Sequence, residues 1–116
     1  MCIRDSNILP FFEANPDIDA VLAVNEIFAI HAMGMVQKMG KKVPKDICFI
    51  GFTNGMMARY STPKLTSVDQ HGQRMGETAA EMLIEKVESE NTEDQEEVFR
   101  TEVIKATIIE RGSTIN

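Results

Sequence analysis

The sequence predicts an α/β fold: a parallel sheet flanked by helices. Three observations predict it. Two short apolar runs, DAVLAV (19–24) and ICFIGF (47–52), bracket a segment whose apolar residues recur at helical spacing. Both runs are nearly unbroken, as strands of a parallel sheet covered on both faces require. Both stop at polar residues, Asn25 after the first and Thr53-Asn54 after the second. The 116 residues, 43% of them apolar, suffice for one small domain.

Along the chain, NILPFFEA (7–14) reads as the end of a helix or a loop, because Pro10 limits regularity. Asn15-Pro16-Asp17 is a turn, and strand 19–24 follows. A helix over 25–39 comes next, with Phe28, Ala32, Met35, Val36 and Met39 as its apolar stripe, joined by Ala29 and Met33. Asn25 suits its N-cap and Gly40 the residue beyond its end. Lys38, Lys41 and Lys42 suit the negative pole of the helix dipole. Pro44 prevents continuation, and strand 47–52 returns by a crossover expected to be right-handed.

Residues 53–64 read as a loop and LTSVDQ (65–70) as an extended piece. A second amphipathic helix over 71–88 carries Met75, Ala79, Met82, Leu83 and Val87 on one side and Glu77, Glu81, Glu85 and Lys86 mostly on the other. The acidic stretch 88–97 reads as a solvated loop. Two β-like runs, 98–103 and 106–110, close the chain.

Composition narrows the function. The net charge of -6 argues against a nucleic-acid-binding surface on this chain. No apolar run approaches the roughly 20 residues that span a bilayer. Two cysteines make no disulfide framework, and Cys48 reads as a small buried hydrophobe. No CxxC, HExxH, G-x-G-x-x-G or phosphate-loop spacing occurs, so no metal and no cofactor is expected. His31 lies one residue off the helical stripe and reads as structural. Asp69-x-His71 offers two ligands, too few for a metal. Ser61, Ser67 and Ser113 lack the setting of a nucleophile, so enzyme is the weaker hypothesis.

The polar strand ends are the candidate site. In an open parallel sheet, ligands bind outside the carboxyl ends of the strands. If the two runs are neighbours, Asn25, Thr53 and Asn54 share one rim with the free amides of helix 25–39. Such neutral donors and acceptors suit a hydroxylated, sugar-like molecule. A second reading stands beside this one: Asn25 only caps its helix, and Thr53-Asn54-Gly55 only makes a turn.

The ordered segments PDIDAVLAVNEIFAIHAMGMVQKMGKKVPKDICFIGFTNG, STPKLTSVDQHGQRMGETAAEMLIEKVE and ATIIERGST resemble the carboxyl-terminal part of LacI-family transcriptional regulators. The resemblance spans about 16–114. It implies a partial, type I periplasmic-binding-protein-like effector domain occupying 7–116, with its first lobe largely missing. Strands 19–24 and 47–52 would belong to the second lobe, 65–70 would cross between lobes, and helix 71–88 would pack on the first. That helix's stripe is therefore expected to be partly exposed, and the fragment prone to association.

The resemblance also implies that Asn25, Thr53 and Gln70 contact a small effector and that Met75 takes an apolar cleft position, with Asn54 beside them. Many members carry an Asp pair where Thr53-Asn54 stands, which leaves the effector's identity open. The implied protein is a cytoplasmic homodimer that meets DNA through a helix-turn-helix outside this chain. A periplasmic sugar-binding protein of a transport system is the alternative. Residues 1–6, MCIRDS, fit no element and are expected to be non-native adaptor sequence.

Overall fold

The computed structural model describes residues 7–89 and 100–115. The MCIRDS stretch, most of the acidic 88–97 segment and the start of the 98–103 run lie outside the described residues. The chain divides into two compact units, Met1–Asp69 with Thr107–Asn116, and 70–106.

The first unit holds α1 (Ile8–Ala14), β1 (Ala20–Leu22), α2 (Glu26–Lys38), β2 (Cys48–Phe52), α3 (Met56–Tyr60), β3 (Thr66–Asp69) and β4 (Thr107–Ile109). The sheet runs β1-β2-β3-β4. Val21 pairs with Phe49, and Gly51 with Ser67, in parallel ladders. The sheet is mixed rather than wholly parallel: β4 starts with Thr107 opposite Asp69, at the carboxyl end of β3, and so must run antiparallel to it.

Side-chain alternation decides the core. Ile47 and Phe49 are buried on the face that α2 covers, together with Leu65, Ala29, Ala32, Met33 and Val36. Ile8 and Phe12 of α1 and Ala58 of α3 join the same cluster. Gly51 makes the close approach possible: a Cβ there would lie 2.8 Å from Leu65 Cδ2 and 3.4 Å from the Glu26 Cα. The opposite face carries Leu22, Cys48, Ile50 and Phe52, none of them buried, and Leu22 is 67% exposed. Thus, among the described residues, one face of β1 and β2, not both, is fully covered. Cys48 sits on that second face, half-buried, with Sγ donating to Pro44 O at 3.4 Å, and is not the core residue the apolar run suggested.

The structure refines the expectations at three places. Segment 53–64 is not all loop, because MMARY folds as α3 behind Gly55. Helix α1 accommodates Pro10 because a first-turn nitrogen has no intrahelical partner to lose. The buried stripe of α2 is Ala29, Ala32, Met33 and Val36, all within the expected set, whereas Phe28 and Met35 are only half-buried. Met39 lies at the C-cap and is 38% exposed. Gly40 follows at φ 85, the left-handed conformation that ends the helix.

The terminal turn after β4 knits the amino ends of β2 and β3. Ser113 Oγ donates to Phe49 O (2.6 Å) and accepts from Thr66 N (2.8 Å). Its backbone exchanges further bonds with Phe49 N and Lys64 O, both at 3.0 Å. Thr66 Oγ1 accepts from Arg111 N at 2.8 Å and lies 2.6 Å from Thr114 Oγ1.

The second unit contains α4 (Gly72–Ser89), a helix with no buried residue. Met75, Leu83, Ile84 and Val87 are all exposed, in line with the exposed stripe expected of this helix. Residues 100–106 form no strand. Arg100 is instead tied through its side chain to Glu85 (2.8 Å) and Glu102 (2.6 Å). Those bonds, Glu102 foremost, push the pKa of this exposed guanidinium further up.

Candidate functional site: the carboxyl rim of the sheet

β1 and β2 are hydrogen-bonded neighbours in parallel register, so the residues that follow them emerge on one rim. Asn25 and Thr53-Asn54 therefore come together, as the apolar runs with polar ends implied. Asn25 is half-buried and extended (φ -149, ψ 166), and its Oδ1 accepts from Phe28 N at 3.0 Å. It is a genuine N-cap whose amide nitrogen keeps donor capacity for a second partner.

Thr53 is exposed at φ 93, held by its N–H to Val68 O at 3.0 Å. A β-branched residue in that region is an outlier costing on the order of 1–3 kcal/mol, and such strain collects at functional sites. Asn54 follows at φ 53, which asparagine tolerates. Its N–H donates to Ser67 Oγ (2.9 Å) and its Nδ2 to Asp69 Oδ2 (2.9 Å). Its Oδ1 accepts from the Arg111 guanidinium (2.5 Å). Both ends of the Asn54 amide are thus engaged by protein, while the Thr53 side chain is exposed.

Glu26 completes the rim. Its carboxylate accepts from Ala58 N at 3.3 Å, so it caps α3 from the start of α2. A Cβ on Gly55 would crowd that carboxylate, which would have to swing aside to admit it. Gln70 and Met75 belong to the second unit, Gln70 as the first residue after β3 and Met75 in the first turns of α4. Both are exposed.

Asp69, Ser67, Arg111 and Glu26 were not among the expected site residues. The signal for Arg111 lay in the IIERGST motif, but nothing local in sequence ties residue 111 to residue 54. Among the described residues, no cluster of three His, Cys, Asp or Glu side chains could hold a metal. Neutral amides, a hydroxyl and a capped helix can bind and orient a polar molecule, but none of them moves a proton near neutral pH. Among the described residues, no helix is long and apolar enough to cross a membrane.

Comparison with known proteins matches this geometry. Residues 4–114 fit the family of periplasmic binding protein-like domains. The HTH-type transcriptional repressor PurR of Erwinia tasmaniensis is 42% identical over 94 residues, 81% of this chain and 26% of that protein. A solved complex of the transcriptional regulator CelR with cellobiose superposes with TM-score 0.78 at 25% identity, covering 94% of this chain and 32% of that one. A LacI-type regulator from Bifidobacterium animalis subsp. lactis superposes with TM-score 0.81 at 28% identity, covering 95% and 38%. The chain spans about a quarter of the length of the curated relatives it matches. It belongs to the periplasmic binding protein-like family, as a carboxyl-terminal part of the effector-binding region of LacI-family transcriptional regulators.

Proposed function

We propose that this chain senses a small hydroxylated effector, a sugar or sugar derivative, for a LacI-family regulator that binds DNA through a helix-turn-helix outside it. One observation carries the reading: adjacent parallel strands deliver Asn25 and an exposed, strained Thr53 to the same rim. The cellobiose bound by the structurally similar CelR supports a sugar as effector. Asn25 Nδ2 and the Thr53 hydroxyl offer hydrogen bonds to ring hydroxyls, and Gln70 and Met75 are proposed as effector contacts on the family resemblance alone.

Effector binding favours one arrangement of the protein over another, and that difference in affinity is what changes the hold on DNA. Couplings of this kind typically amount to about 1–3 kcal/mol. The action is non-enzymatic and takes place in the cytoplasm, where the operator is. The protein works as a homodimer, and exposed Met56 and Tyr60, one turn apart on α3, offer an apolar surface for a second copy.

A thermal-shift panel of D-glucose, D-ribose and cellobiose on the full-length regulator tests the reading. One sugar raises the melting temperature in a dose-dependent way, and Thr53→Ala and Gln70→Ala each weaken the response without unfolding the protein. An unchanged dose response in both variants removes these residues from the pocket.

A further inference from the structure

We infer that Arg111 and Asp69 are positioning residues of the rim: they clamp the two ends of the Asn54 amide and thereby fix the strained backbone that presents Thr53. The inference rests on the rim being the effector site. Arg111 comes from the turn after β4, 57 residues beyond Asn54, and is anchored by its own N–H to Thr66 Oγ1 at 2.8 Å. Its guanidinium forks: Nη1 donates to Leu65 O (2.7 Å) and Nη2 to Asn54 Oδ1 (2.5 Å). The planar fork spans both acceptors at once, which a lysine ammonium cannot do in the same geometry.

Asp69 completes the clamp from the last position of β3, taking Asn54 Nδ2 at 2.9 Å. The amide therefore has a cation on its oxygen and an anion on its nitrogen. A flipped amide would set oxygen against carboxylate and nitrogen against guanidinium, so one orientation is selected. Meanwhile the Asn54 N–H is held by Ser67 Oγ (2.9 Å), so main chain and side chain are both pinned. Two consecutive left-handed residues, Thr53 at φ 93 and Asn54 at φ 53, persist only where the surroundings enforce them. Arg111 and Asp69 supply that enforcement from outside the rim, and a carboxylate at position 54 would meet Asp69 with like charge.

Backbone amide exchange on the full chain tests this without any ligand. Arg111→Met speeds exchange of the 53–55 amides by about tenfold, the loss expected for one charge-assisted bond, while the 29–36 amides of α2 stay unchanged. Arg111→Lys gives an intermediate acceleration. Asn54→Asp accelerates the same amides, and adding Asp69→Asn restores them to within about twofold, because the pair again offers one donor and one acceptor.

Unaltered exchange in Arg111→Met, or failure of the double exchange to rescue, overturns the clamp. A second arm measures the melting shift with cellobiose. Where the wild type shifts, Arg111→Met weakens the apparent affinity at least about fivefold, and unchanged affinity alongside faster exchange overturns the link to the effector. Where the wild type shifts with no sugar, the sugar reading fails, and the exchange results still decide the clamp.

Discussion

The two ends of the sheet use the same kind of side chain for opposite purposes. At the amino end, Ser113 and Thr66 are fully buried; the Ser113 hydroxyl bonds to the Phe49 and Thr66 backbone, and the Thr66 hydroxyl to the Arg111 backbone and Thr114 Oγ1. At the carboxyl end, the Thr53 hydroxyl stands in solvent on a backbone that threonine avoids. A buried hydroxyl that satisfies a main-chain donor and acceptor contributes stability. An exposed hydroxyl held at an unfavourable φ costs stability, and that cost is explained if the group serves a ligand. On the proposed function, one end of the sheet is built to stay shut and the other to receive.

The largest test of this contrast is Ser113→Ala. It leaves Phe49 O and Thr66 N without their buried partner and should cost about 3 kcal/mol, roughly 1–3 for each orphaned group. A lower urea midpoint with unchanged slope would record the loss. A shift no larger than that of an exposed serine would show that the amino end is not the rigid one.

Asn25→Ala comes next, at about 1 kcal/mol for the lost cap on Phe28 N. It sharpens the comparison because Asn25 belongs to both classes at once. If it also serves the effector, the response falls by more than the stability loss accounts for.

How far such roles could be read from the sequence varies with their locality. The β1–α2–β2 order, the Asn25 cap and the Gly40 terminus are written in adjacent residues and were all legible there. MMARY was not, because five residues behind a Thr-Asn-Gly turn are too few for a helical period to declare itself. The stripe of α2 was drawn too wide, taking in Phe28, Met35 and Met39 beside the four buried residues, since nearly every position of EIFAIHAMGMV is apolar and the periodic signal is weak. The Asn54 network escaped for a different reason: Asp69 reaches it from β3 and Arg111 from the turn after β4, and only the fold brings them there. For the same reason the β-like run 98–103 reads as a strand in the sequence, although its described residues, 100–103, form none.

The smallest effects on stability carry the sharpest distinction. Leu83→Glu on α4 changes a 63% exposed side chain, so unfolding should move by less than about 0.5 kcal/mol while self-association by analytical ultracentrifugation declines. Thr53→Gly is subtler still, since two contributions of similar size oppose each other. Glycine relieves the left-handed strain at φ 93, worth on the order of 1–3 kcal/mol, but restores freedom to the unfolded chain at a cost of about 0.5–1. The net expectation is a gain of about 1 kcal/mol together with a weaker effector response. Thr53→Ala keeps most of the strain and removes only the hydroxyl, so it should weaken the response with no such gain. A stabilised glycine variant whose response equals that of wild type would mean that the strain at Thr53 serves the turn alone, and that the two ends of the sheet differ in exposure but not in purpose.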